Sequence, residues 1–157
     1  MAATSLKVTE GYADFVVPAA NKPCRTWYKI FGDLEHRTRP PLLVLHGGPG
    51  LVHNYLLTYS DLSSTYSIPV VLYDQIGNSQ SMHLPEKAKD PAFWTGQFVG
   101  ELNNLLVHLG IQNDYDLLSH SWGGMLSSLH AVQLPKWLHL HYILFPRICS
   151  AMERIPG

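Results

Sequence analysis

Tyr115-Asp116-Leu117-Leu118-Ser119-His120-Ser121-Trp122-Gly123-Gly124-Met125 is the stretch that decides the fold. A strand-type apolar run, Tyr115 to Leu118, gives way to small and polar residues. A helix-compatible run, Met125 to Gln133, starts directly after. One serine, Ser121, stands at the junction between small residues at Ser119 and Gly123. This is close to G-x-S-x-G, a tight strand-to-helix turn that lifts a serine hydroxyl above a sheet. The neighbours must be small because the turn brings backbone segments close together. Here a serine, Ser119, takes the first glycine's place. The pattern nominates Ser121 as a nucleophile.

Working outward, two more loops of the same kind lie upstream. Leu42-Leu43-Val44-Leu45 is a continuous apolar run, as expected of a strand covered on both faces, and it leads into His46-Gly47-Gly48-Pro49-Gly50. Ile68 to Tyr73 is a second buried-type strand and ends in Asp74-Gln75-Ile76-Gly77-Asn78-Ser79. Phe93 to Leu109 reads as the clearest helix, with Phe98, Leu102, Leu105, Leu106 and Leu109 on one stripe. Asn54 to Leu62 reads as a short helix, and Leu138 to Phe145 as a last strand. At the front, Val8 to Val17 and Arg25 to Phe31 read as a hairpin around a turn at Asn21-Lys22-Pro23. Strands alternating with helices imply an α/β fold: a mostly parallel sheet with antiparallel N-terminal edge strands and flanking helices. Function in such sheets gathers at the carboxyl ends of the strands, which is where all three glycine-bearing loops fall.

Composition narrows the function classes. The 157 residues suit one domain, and a formal net charge of −1 gives no reason to expect a nucleic-acid partner. The nine histidines form no H-x-x-x-H pair with a third ligand nearby, so no metal is expected. No G-x-G-x-x-G follows the first strand, and no cofactor is implied. Cys24 and Cys149 form no motif and read as reduced thiols. With no basic start followed by an apolar block, and no run long enough to span a bilayer, the expectation is a cytoplasmic protein with no membrane partner.

His46-Gly47-Gly48-Pro49-Gly50, Asp74-Gln75-Ile76-Gly77-Asn78 and Ser119-His120-Ser121-Trp122-Gly123-Gly124 together resemble the signatures H-G-G-P-G, D-Q-x-G and G-x-S-W-G-G of the proline iminopeptidase group of α/β-hydrolases. The resemblance covers roughly Val8 to Pro135. It implies a serine hydrolase that releases N-terminal residues, with a preference for proline, from small peptides or amino-acid amides. Ser121 would form an acyl-enzyme. The backbone N–H of Trp122 and one from Gly47 or Gly48 would hold the oxyanion. His46, Pro49, Gly50, Asp74, Gln75, Gly77 and Gly123 would support the site.

The same resemblance calls for an acid and a histidine later in the chain. No aspartate follows Ser121, and no histidine follows Glu153, the one acidic residue beyond it. His130, His139 and His141 read as packed or strand-face residues. The expectation is a partial α/β-hydrolase core over 1–145 and a divergent tail over 146–157, a truncated chain inactive by itself. The alternative is a non-catalytic fragment or a partner-binding pseudoenzyme. The strand at Leu138 to Phe145 would then form an apolar sheet edge, open to self-association.

Overall fold

The computed structural model describes residues 6–17, 20, 22–48, 50–133, 136 and 138–144. Pro49, Phe145 and the 146–157 tail lie outside these residues. Six strands form one sheet: β1 (Val8–Val17), β2 (Lys22–Phe31), β3 (Leu42–Leu45), β4 (Val70–Tyr73), β5 (Tyr115–His120) and β6 (Leu138–Leu144), in the order β1-β2-β4-β3-β5-β6. The β1–β2 and β2–β4 pairs are antiparallel. The β4–β3, β3–β5 and β5–β6 pairs are parallel. The mixed α/β sheet is therefore as expected.

The hairpin differs in detail. Lys22 and Pro23 belong to β2, where they pair with Val17 and Val16, instead of forming the turn. Proline lacks an N–H for a ladder. It fits here because β4 reaches only Tyr28 to Phe31 of β2, leaving Pro23 flanked by β1 alone.

Every residue of β3 and β4 is buried, as continuous apolar runs in a parallel sheet require. One face is covered by helix α2 (Pro91–His108). Asp90 caps that helix, accepting from the Phe93 N–H at 3.0 Å. Its stripe of Phe98, Leu102, Leu105 and Leu106 packs on Leu43, Leu45, Val71, Tyr73, Tyr115 and Leu117. Each such side chain contributes about 1.5–3 kcal/mol of burial. The other face packs Val44, Val70, Leu72 and Leu118 against Leu56. Leu56 lies in a 3-10 segment, His53–Ser60, that runs into α1 (Asp61–Tyr66). The stretch expected as one short helix is therefore a tighter 3-10 segment followed by the start of α1. A third helix, α3 (Trp122–Ala131), follows β5 after a single residue.

Candidate active site

That single residue is Ser121. Its backbone sits at φ 52° and ψ −115°, a sparsely populated region for a residue with a side chain, costing on the order of 1–3 kcal/mol. Neighbouring bonds hold it there. The Ser121 N–H donates to the Leu144 carbonyl at the end of β6 (2.9 Å), and its own carbonyl accepts from the Gly124 N–H (2.8 Å). The half-buried hydroxyl stands at the amino end of α3, where the helix dipole favours negative charge. Gly123 cannot carry a side chain, because a Cβ would lie 2.6 Å from the carbonyl oxygens of both Leu45 and His46.

Ser119 fits its strand without a special backbone. Its buried hydroxyl lies 2.8 Å from Ser127 Oγ on α3 and donates to the Tyr142 carbonyl on β6 at 2.9 Å. His141 Nε2 reaches Ser127 Oγ at 2.6 Å. With the Ser119 proton given to Tyr142, the Ser127 proton goes to Ser119 or to the Gly124 carbonyl (3.1 Å), and His141 Nε2 is then the donor to Ser127. Burial pushes His141 toward its neutral form. The serine at the glycine position is thus tied to both elements flanking β5.

The two upstream loops meet the elbow at the carboxyl edge of the sheet. Buried His46 joins them. The Gln75 N–H donates to its Nε2 at 3.0 Å, so Nδ1 carries the proton and donates to the Gly47 carbonyl at 2.7 Å. Burial lowers the His46 pKa and favours this neutral tautomer. Gln75 then reaches both ways. Its amide donates to the His46 carbonyl (3.4 Å), and its Oε1 accepts from the Trp122 indole (3.2 Å). Asp74 is fully buried, and its Oδ1 faces the backbone N–H and the Nδ1 of His53, both at 2.9 Å. The loop turns back at Gly77, whose N–H donates to the Met82 carbonyl at 2.9 Å. Gly48 and Gly50 have φ of +141° and +99°.

Sequence reading missed several participants. Glu101, on α2, accepts from the Ile76 N–H (2.8 Å) and the Thr26 hydroxyl (2.6 Å), both at Oε1, and so anchors the Asp74 loop from below. Burial pushes its pKa up to about 8. Tyr55, in the 3-10 segment, accepts from the Gly47 N–H at 2.6 Å and lies 2.9 Å from His120 Nδ1. Trp94, Phe98 and Trp122 form an aromatic run from α2 to the elbow, each neighbouring pair 5.7 Å apart between centroids. The glycines and serines of the loops could be read in sequence, but these longer-range partners carry no local pattern.

None of the nine histidines hydrogen-bonds the Ser121 hydroxyl among the described residues. Besides His46, His53, His120 and His141, His130 Nε2 bonds Tyr115 (2.6 Å) and His139 Nε2 bonds Asp114 (3.0 Å). His36, His83 and His108 are paired with Asp33, the Ser79 carbonyl and Tyr28. Asp33, Glu35 and His36 are close enough to share an ion. They lie at the opposite edge of the sheet, where Asp33 is already tied to Lys7 and to the N–H groups of Glu35 and His36. Among the described residues, no helix is long and apolar enough to cross a membrane.

This strand, strained serine and helix, with two glycine loops beside them, has counterparts. Residues 40–136 match the family described as alpha/beta hydrolase fold. The chain belongs to the α/β-hydrolase fold family. It is 35% identical over 147 residues to a proline iminopeptidase of Clostridioides difficile (strain 630), covering 93% of this chain and 46% of the relative. The crystal structure of VinJ superposes with a TM-score of 0.76 at 48% identity, covering 86% of this chain and 43% of the other. The crystal structure of proline iminopeptidase from Mycobacterium smegmatis gives a TM-score of 0.69 at 34% identity, covering 87% and 44%. The chain therefore spans less than half the length of these relatives. Within the α/β-hydrolase family it is proline iminopeptidase-like.

Proposed function

We propose that the chain carries the nucleophile and the oxyanion-binding side of a serine hydrolase that releases N-terminal residues, proline preferred, from small peptides or amino-acid amides. The observation that carries this reading is Ser121, held at φ 52° between β5 and α3. Its hydroxyl would attack the substrate carbonyl, and the backbone N–H of Trp122 would receive the developing charge. Between the two glycines, Gly48 is the better second donor, because the Gly47 N–H already donates to Tyr55. The Gly47 carbonyl and the Gly48 N–H belong to one trans peptide and point opposite ways. By holding that carbonyl, His46 aims the Gly48 donor. Each donor of this kind contributes about 3 kcal/mol in acyl-transfer sites. His46, Gly50, Asp74, Gln75, Gly77 and Gly123 support the arrangement, and Pro49 lies between the donor glycine and Gly50.

A second reading has its own observation. All nine histidine rings are engaged away from Ser121, so no general base stands beside the nucleophile among the described residues. On this reading the chain by itself is a non-catalytic fragment or a pseudoenzyme that binds a partner. Loss of the base leaves only residual rate from the oxyanion donors and substrate binding.

Two measurements separate these readings. The purified chain is treated with a fluorophosphonate probe, and the adduct is mapped by mass spectrometry. An adduct on Ser121 that is absent from Ser121→Ala supports the nucleophile; adducts on other residues alone, or none even at a pH where hydroxide serves as the base, overturn it. Prolyl- and alanyl-p-nitroanilide are then assayed. Turnover abolished by Ser121→Ala makes the chain a catalyst in its own right and removes the second reading, whereas no turnover upholds it.

A further inference from the structure

Gly47 and Gly48 have no side chains to stiffen them, so the two peptide planes that meet at Gly47 need outside clamps. His46 supplies one, through the Gly47 carbonyl. The other is the Tyr55 hydroxyl, which accepts from the Gly47 N–H at 2.6 Å. That hydroxyl has one proton to give, and His120 Nδ1 lies 2.9 Å away to receive it. The rings of Tyr55 and His120 meet edge to face, 5.3 Å between centroids. The three groups are packed so closely that a Cβ on Gly47 would lie 2.9 Å from His120 Nδ1 and 3.2 Å from Tyr55 Oη. His120 is the residue immediately before the nucleophile. A hydrogen-bonded path therefore runs from the glycine loop, through Tyr55, to the elbow itself. Burial raises the Tyr55 pKa above the ordinary phenol value, which keeps the hydroxyl protonated and able to donate.

We propose that Tyr55 and His120 are positioning residues: together they fix the Gly47 peptide against the elbow and so set the distance between the Gly48 donor and Ser121. This rests on the acyl-transfer reading of Ser121 and adds a role for two residues outside its three loops. Neither residue touches the reacting atoms. Tyr55 acts through Gly47, and His120 acts by holding the Tyr55 hydroxyl in place.

The test reads the clamp directly, by amide hydrogen exchange in the full chain. In Tyr55→Phe the Gly47 amide loses its acceptor and should exchange at least about tenfold faster, while core amides of β3 and β5 keep their protection. His120→Leu should give the same loss. His120→Asn, whose Oδ1 is an acceptor close to the Nδ1 position, should keep Gly47 protected to within about twofold. Unchanged Gly47 exchange in both Tyr55→Phe and His120→Leu overturns the proposal, as does equal loss in His120→Leu and His120→Asn. Labelling of Ser121 by diisopropyl fluorophosphate supplies the functional arm. Its rate should fall at least about tenfold in Tyr55→Phe, as expected of a displaced oxyanion donor. Unaltered labelling with a deprotected Gly47 overturns the positioning role. A wild-type chain that takes no label even at a pH where hydroxide serves as the base sinks the Ser121 reading instead, and the clamp is then decided by Gly47 exchange alone. Should Tyr55→Phe fail to fold, the His120→Leu and His120→Asn pair, at a partly exposed position, carries the same comparison.

Discussion

Replacing Glu101 by glutamine should stabilise the protein, and the gain should grow with pH. Glu101 is 1% exposed, and its Oε1 accepts from Thr26 and Ile76 while Oε2 has no partner among the described residues. Desolvation is the largest influence on the carboxyl and raises its pKa to about 8; the bonds from Thr26 and Ile76 pull the other way but do not win. The unfolded chain ionises Glu101 near the ordinary value of 4.5. Between that value and about 8 the folded state therefore holds a proton that the unfolded state has lost, and stability falls as pH rises through this window. A shift of this size corresponds to a loss of roughly 5 kcal/mol once complete. Glutamine keeps an oxygen for Thr26 and Ile76 but cannot ionise. Glu101→Gln should thus match wild type near pH 4.5 and exceed it by about 3–5 kcal/mol near pH 8.5. Urea unfolding followed by far-UV circular dichroism at a series of pH values measures the difference. A gap that stays constant with pH, or narrows as pH rises, refutes the reasoning, because it means Glu101 ionises in the folded protein at its ordinary pKa.

Ser119→Gly restores the glycine of the elbow pattern, yet it should destabilise by about 2 kcal/mol, because Ser127 and the Tyr142 carbonyl each lose a partner. An unchanged melting temperature would show that those bonds contribute nothing net. Ser79 has a φ of 40°, so Ser79→Gly should relieve a left-handed strain and stabilise by about 0.5–1 kcal/mol in chemical denaturation; a loss of stability argues against strain at this turn. Among the described residues β6 is an outer strand, with Leu140, Tyr142 and Leu144 at 49%, 55% and 39% exposure. Self-association through this edge should appear as concentration-dependent sedimentation and disappear in Leu140→Lys/Tyr142→Lys. A wild-type chain that stays monomeric at tens of micromolar (on the order of the concentrations where exposed apolar surface aggregates) would remove the edge as an association surface.

Much of the fold could be read in the residues, for identifiable reasons. β3 and β4 are continuous apolar runs because both faces of the sheet are covered, and α2 shows its stripe because only one face is. Boundaries were legible only where local chemistry set them. Helix α3 starts at Trp122, three residues before the expected start at Met125, and so takes in Gly123-Gly124, whose residue type disfavours helix. The glycine at 123 answers to the carbonyls of Leu45 and His46 instead, a contact made by another strand. Pro23 misled in the same way, since a proline is tolerated in β2 only because β4 stops short of it. In the site, the glycine loops announced themselves. Glu101 and His53 did not, because their partners lie far along the chain, and Tyr55 did not, because nothing in its spacing from Gly47 or His120 marks the bonds.

The strain at Ser121 bears on which functional reading is worth pursuing first. A left-handed serine stands between Ser119, bonded to β6 and α3, and Gly123, pressed against the β3 backbone. A turn needed only to join a strand to a helix could place glycine at 121 and avoid a cost on the order of 1–3 kcal/mol. Here the residue with φ > 0 has a hydroxyl, and the glycine falls two positions later, where close packing demands it. Around it, His46 and Tyr55 hold the Gly47 peptide groups from both sides, by hydrogen bonds of 2.7 and 2.6 Å, and so fix the direction of the Gly48 N–H. Electrostatic preorganisation of this kind is useful for charge that develops on a substrate oxygen, and it needs no histidine to be assembled. On the proposed reading these residues supply the nucleophile and the oxyanion donors, while no histidine hydrogen-bonds the Ser121 hydroxyl among the described residues. Labelling of Ser121 also needs its proton to be accepted, so it is followed as a function of pH, with hydroxide standing in for the base, before any search for turnover.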